Sequence, residues 1–135
     1  MQNILIVDDE PDVRDALKRV LDLAGYSVRT AANAMDALAE LEHIPADVVI
    51  TDIIMPKING VQAIELICKA FPATRIIAIS GGGNFGITSY KPRAITTTAY
   101  LASAQSAGAR LVLTKPFEAV ELIQAVEEVL GVGHA

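Results

Sequence analysis

The sequence predicts a doubly wound α/β domain: five parallel strands with helices on both faces. Three observations carry this. Four short runs, 4–7 (Ile-Leu-Ile-Val), 48–50 (Val-Val-Ile), 76–79 (Ile-Ile-Ala-Ile) and 111–113 (Leu-Val-Leu), are bounded by polar residues, and most are rich in β-branched side chains. Runs of this kind suit strands buried on both faces of a parallel sheet. Between them, apolar residues recur at helical spacing. Finally, 52% of the 135 residues are hydrophobic and 20% charged, enough to fill one core and too apolar for disorder. Strand and helix alternating in this way imply a parallel sheet, and right-handed crossovers place the helices on both of its faces.

The elements follow in order. After the run 4–7, Val13, Ala16, Leu17, Val20, Leu21 and Ala24 make one face of a helix, and Gly25 sits where a helix C′ residue belongs. Residues 27–30 (Ser-Val-Arg-Thr) alternate, as an edge strand does. Ala34, Ala37, Leu38 and Leu41 give a short second helix. After the strand at 48–50, Val61, Ile64, Cys68 and Phe71 give a third helix, closed by Pro72. The alanine-rich stretch 99–107, followed by Gly108, is a fourth. Ala119, Leu122, Ile123, Val126, Val129 and Leu130 make the fifth, closed by Gly131. One domain over 1–131 is expected, with a frayed tail at 132–135. The Gly-, Ser- and Thr-rich stretch 81–98 is longer than a tight connection needs; loops of that length are usually functional or mobile.

Composition excludes several classes. The length leaves no room for a separate effector module. The net charge of −5 argues against nucleic acid as the partner. Cys68 is the single cysteine, so neither an intramolecular disulfide nor a multi-cysteine metal site is possible. The first residues lack the basic segment of a signal peptide, and no apolar run is long enough to span a bilayer. A soluble cytoplasmic protein is expected. Charge is uneven: between residues 66 and 117 there is no acid but six bases, Lys69, Arg75, Lys91, Arg93, Arg110 and Lys115, while the remainder carries a net −11. This is either compositional noise or a partner surface on the side of the fourth helix.

Ligands of open parallel sheets bind beyond the carboxyl ends of the strands. Asp8 and Asp9 follow the first run, Asp52 the third strand, Ser80 the fourth, and Lys115 and Pro116 the fifth. Three carboxylates, a hydroxyl and an ammonium thus converge on one edge. Carboxylates crowded together raise one another's pKa unless a cation intervenes. Lys115 supplies one positive charge, and Mg²⁺ suits the rest because it takes few carboxylates and keeps waters. Such a site can receive a phosphoryl group, with Asp52 as nucleophile forming an aspartyl phosphate. The bland alternatives are an acidic helix start at Asp8-Asp9-Glu10-Pro11 and an ordinary loop serine at Ser80. The former does not explain two carboxylates ending a buried strand.

The residues Ile4–Glu10 (I-L-I-V-D-D-E), 51–60 (T-D-I-I-M-P-K-I-N-G), 79–81 (I-S-G) and 114–117 (T-K-P-F) together resemble a response-regulator receiver domain over nearly the whole chain. That resemblance implies a flavodoxin-like (βα)5 fold with strand order 2-1-3-4-5. It implies that Asp52 accepts a phosphoryl group from a histidine kinase or histidine phosphotransfer protein, without the chain being an enzyme proper. By position, Asp9, Asp52 and the backbone carbonyl of Ile54 would bind Mg²⁺, with Asp8 acting through water. Ser80, with Gly81 beside it, and Lys115 would hold the phosphoryl group, and the Lys115–Pro116 bond would be cis. Signalling would run through the surface of the fourth strand, the segment after it and the fifth strand to an unknown downstream protein. Neither nucleic acid nor membrane is implied, and a homodimer through the fifth strand and its flanking helices is an option.

Three features depart from the family pattern. Val112 stands where an aromatic switch residue is common, three before the lysine. Ser80 and Lys115 are 35 residues apart, longer than the family spacing, and the excess falls in 81–98. Ile54 and Gly82 occupy positions that tune hydrolysis of the aspartyl phosphate. Val112 and the long loop leave room for a phosphorylation-independent binding module. A phosphohydrolase with an aspartate nucleophile is a more distant alternative: such enzymes place a second acid two residues after the nucleophile, which after Asp52 is Ile54, and although Glu10 after Asp8 satisfies that spacing, no substrate cap or specificity segment exists unless the long loop serves. The match of 81–86 to G-x-G-x-x-G lacks the following helix and acid of a dinucleotide site. Cys68 is expected to be a small buried apolar residue, and His43 and His134 to be solvated.

Overall fold

The computed structural model describes residues 2–52, 60–80, 107–114 and 117–131. The described chain runs β1 (Asn3–Val7), α1 (Pro11–Leu23), β2 (Ser27–Ala31), α2 (Ala34–His43), β3 (Val48–Asp52), α3 (Gly60–Ala70), β4 (Arg75–Ser80), β5 (Leu111–Thr114) and a C-terminal helix (Ala119–Leu130). The five strands form one parallel sheet in the order β2-β1-β3-β4-β5. The predicted loop 81–98, the predicted fourth helix 99–107 apart from Ala107, and the tail 132–135 lie outside the described residues.

Successive strand side chains point to opposite faces, and this alternation divides the core in two. Leu5, Val7, Val49, Ile76 and Ala78 pack with α2 and α3 on one face. Ile4, Ile6, Val48, Ile50, Ile77 and Ile79 pack with α1 and the C-terminal helix on the other. Both faces of β1, β3 and β4 are therefore apolar, which is why their sequences read as unbroken runs. On the outer strand β2, only Ala31 is buried. The outer strand β5 is half-buried, contrary to the expectation from its Leu-Val-Leu run. An apolar run does not reveal that a strand has a neighbour on one side only.

Local signals account for most element ends. Pro11 opens α1, where its missing N–H costs nothing. Asn33 caps α2 by accepting from the Asp36 amide at 2.8 Å. Glu118 and Glu121 form a reciprocal capping box at the start of the C-terminal helix, which ends on Gly131 in the left-handed region. Leu17 and Leu21 bury the inner face of α1, while Ala16 and Ala24, expected on that face, are exposed. Cys68 is half-buried rather than buried, and its sulfur lies against the turn at Gly108. His43 is exposed, as expected; His134 lies outside the described residues. None of the described helices is long and apolar enough to cross a membrane.

Candidate functional site

Three central strands bring polar groups to one edge. β3 extends past its apolar run to include Thr51 and Asp52, and Asp52 pairs with Ile79 of β4, one residue before Ser80. Val7 of β1 pairs with Thr51, so the next residues, Asp8 and Asp52, stand side by side at the carboxyl end of adjacent strands. Ser80 pairs with Thr114, the residue before Lys115. Asp8 and Asp52 also continue the alternation of Ile4 and Ile6, and of Val48 and Ile50, so both belong to the face of α1 and the C-terminal helix.

Both carboxylates are buried: Asp8 is 1% exposed and Asp52 6%. Asp9 and Glu10 are exposed. Taking carboxylates out of water is costly unless other groups compensate. The Glu10 amide donates to Asp8 Oδ1 at 2.9 Å, an Asx-type turn that leads the chain from β1 into α1. The Asp8 amide donates to the Ala31 carbonyl at 3.1 Å, tying the turn to β2. The hydroxyl of the buried Thr51 donates to the Asp52 carbonyl at 3.2 Å.

Sequence reasoning missed one participant. Arg14, one turn into α1, donates from Nη1 to the main-chain carbonyl of Asp8 at 2.8 Å. The only hint in the sequence was a cation near the positive end of a helix, where acids are favoured.

The predicted set is thus brought together in part. Asp8, Asp52 and the backbone of Ser80 converge, with Asp9 on the exposed side of the same turn. Ile54, Gly81, Lys115 and Pro116, together with the 81–86 glycines, lie outside the described residues. Among the described residues, no three His, Cys, Asp or Glu side chains close on a common point. Mg²⁺ does not need that, because it is commonly held by one or two carboxylates plus waters and phosphate oxygens. Two buried carboxylates side by side, with a third on the adjoining residue, are a hard-oxygen donor set that fits it.

Val112 is partly buried and packs against the core on the α2 and α3 face. Of the six bases in the acid-free stretch, Lys69, Arg75 and Arg110 are described. Arg75 opens β4, Arg110 immediately precedes β5, and Lys69 lies in the last turn of α3, so all three lie toward the end of the sheet opposite the carboxylates.

Comparison with known proteins is consistent across sequence and structure. A sequence model of the response regulator receiver domain matches residues 4–127. The chemotaxis protein CheY of Thermotoga maritima is 33% identical over 129 residues, covering 95% of this chain and 97% of that protein. The DNA-binding transcriptional regulator NtrC of Azospirillum brasilense is 35% identical over 128 residues, 95% of this chain but 24% of NtrC. The crystal structure of the receiver domain of NtrX from Brucella abortus superposes with a TM-score of 0.81 at 32% identity, covering 97% of this chain and 100% of that one.

Proposed function

The chain belongs to the response regulator receiver family, and from that membership we propose that Asp52 accepts a phosphoryl group from the phosphohistidine of a histidine kinase or a histidine phosphotransfer protein. The observation that carries the proposal is the burial of Asp52 beside Asp8 at the carboxyl edge of the two innermost strands. A carboxylate oxygen of Asp52 forms the O–P bond as the N–P bond of the donor breaks, and the electron pair returns to the imidazole. Asp52 sits on β3, a rigid strand buried on both faces, so its oxygen is held in place before the donor arrives. Asp8, Asp9 and Asp52, with the Ile54 carbonyl, are the groups that would hold Mg²⁺. When bound, that ion supplies neutralising charge to the carboxylates and to the incoming phosphoryl oxygens. Lys115, with Ser80 and Gly81, would hold the phosphoryl group, and Pro116 would follow in the cis form.

The domain spans 1–131 in this reading, with 81–98 as an insertion. The protein acts as a phosphoacceptor, not as an enzyme turning over a general substrate. It resides in the cytoplasm. It signals to a partner protein, or relays to a second histidine, through the surface of β4, the segment after it and β5. A second reading, binding without phosphorylation, is favoured by Val112, which packs into the core where receivers often carry a mobile aromatic.

The test is intact mass after incubation with acetyl phosphate, with and without Mg²⁺, beside Asp52→Asn. A Mg²⁺-dependent gain of one phosphoryl group, absent in the variant, is expected. If a folded protein gains nothing from acetyl phosphate or from a phosphorylated histidine donor, the second reading replaces the first.

A further inference from the structure

Arg14 is a cation where a helix disfavours one. It is the fourth residue of α1, close to the positive end of the helix dipole, and the first turn otherwise carries an acid, Asp12. Its side chain is half-buried and reaches back to the sheet, where Nη1 donates to the Asp8 carbonyl at 2.8 Å. Its own amide donates to the Glu10 carbonyl at 3.1 Å. One residue therefore binds both ends of the acidic turn Asp8-Asp9-Glu10. The peptide plane that the guanidinium holds is the one joining Asp8 to Asp9. Because the peptide bond is planar, fixing the Asp8 carbonyl also fixes the amide nitrogen of Asp9 and restricts where the Asp9 Cα can lie. Asp9 is exposed, so burial does not confine its side chain as it confines that of Asp8.

We propose that Arg14 is a positioning residue for the cation site: its hydrogen bond to the Asp8 carbonyl sets the Asp8–Asp9 peptide so that the two carboxylates face Mg²⁺ together. This rests on the receiver reading above. It sets two effects of Arg14 against each other. As a positive charge near the site, Arg14 repels a second cation, and its removal should tighten Mg²⁺. As the clamp on the turn, it preorganises the donors, and its removal should loosen Mg²⁺. The directional, charge-assisted contact to a carbonyl makes the second effect the larger, since it acts on the donor turn itself.

The experiment is a titration of MgCl2 into ¹⁵N-labelled protein without any phosphodonor, following the amide shifts of Asp9 and Glu10, alongside thermal unfolding. Arg14→Met keeps the apolar stem and removes the donors; it is expected to weaken Mg²⁺ by about tenfold, the low end for loss of a ligand-orienting partner. Arg14→Lys keeps a charged donor of similar reach and is expected to stay within about twofold of wild type. Arg14→Gln is too short to reach the carbonyl; it should weaken binding as Arg14→Met does, and takes its place if that variant does not fold. Unchanged or tighter Mg²⁺ in Arg14→Met or Arg14→Gln overturns the proposal, as does a lowered melting temperature with an unchanged dissociation constant. If the wild type itself shows no saturable Mg²⁺ shift, the Mg²⁺-dependent phosphoacceptor reading fails, and the Arg14 proposal with it.

Discussion

Asp52→Asn should make the protein more stable in the absence of divalent cations and indifferent to them in their presence. Adjacent strands lie about 4.8 Å apart, and the register puts Asp8 and Asp52 on neighbouring strands, facing the same side. At an effective dielectric of about 20, two unit charges at that spacing repel by roughly 3 kcal/mol. Part of this is offset at the edge, by the Glu10 amide on Asp8 and by the ammonium expected from Lys115. A net gain of about 1–2 kcal/mol in the variant follows. For a domain of this size that is a rise in melting temperature of roughly 3–10 °C. In the proposed phosphoacceptor site, Mg²⁺ bound to the folded state would stabilise the wild type by mass action, whereas the variant has lost one of the charges that would attract it. The assay is thermal unfolding followed by circular dichroism, in EDTA and over a MgCl2 series. Asp8→Asn is a useful second variant because its amide oxygen can still accept from the Glu10 amide, so the turn keeps its hydrogen bond. A variant that melts below wild type in EDTA, or that responds to Mg²⁺ as wild type does, would refute the reasoning.

Three further outcomes are expected. Gly108 has φ of +127°, and a Cβ placed there would lie 2.4 Å from Cys68 Sγ; Gly108→Ala should cost about 2–4 kcal/mol in urea unfolding, from backbone strain and overpacking. In a Cys68→Ala background only the strain component, about 1–2 kcal/mol, should remain. Burial, with the negative charge of Glu127 second, holds the Tyr26 phenol above its ordinary pKa. The unfolded chain thus ionises first, so Tyr26's contribution is complete below about pH 10 and is lost as pH rises through the higher folded value. Wild type should therefore lose more stability than Tyr26→Phe between pH 8 and pH 11, and equal losses would contradict this. Burial also raises the Cys68 thiol, with Arg110 pulling the other way. Alkylation of the folded protein at neutral pH should be slower than that of free cysteine, and slower again in Arg110→Ala.

Much of the fold was legible because the central strands are buried on both faces. Ile4–Val7 has no polar position to interrupt it, and its immersion in the sheet is complete. What hydrophobicity could not mark was where β3 ends. Thr51 and Asp52 are polar, yet both remain in the ladder and are buried. The ladder is made by the backbone and does not depend on side-chain polarity. The same blindness made Leu111–Leu113 look like an interior strand. Strand order came from the family resemblance, since no pattern in one sequence states which parallel strands are neighbours. The carboxylates of the site were legible because acids directly after a buried strand break the rule that charges stay in water. The Arg14 contact was not, because a side chain reaching back to a main-chain carbonyl leaves no trace in residue type or spacing.

The carboxyl edge of the sheet is where the sequence departs from what stability alone would select. Val7 is 1% exposed, and so is the next residue, Asp8. An apolar residue there would extend the core, and an exposed polar one would end it without cost. Two acids instead remain buried on adjacent strands, with mutual repulsion that a rigid sheet cannot relax by moving them apart. Such a placement persists only where hydrogen bonds and opposite charge compensate it. The structure invests in holding the arrangement: the Glu10 amide on Asp8 Oδ1, the Arg14 guanidinium on the Asp8 carbonyl, and the Asp8 amide on Ala31 all fix the turn that carries the acids. The constraint makes sense if cation and phosphoryl group must meet donors already in place, because donors ordered beforehand need no reorganisation when charge arrives.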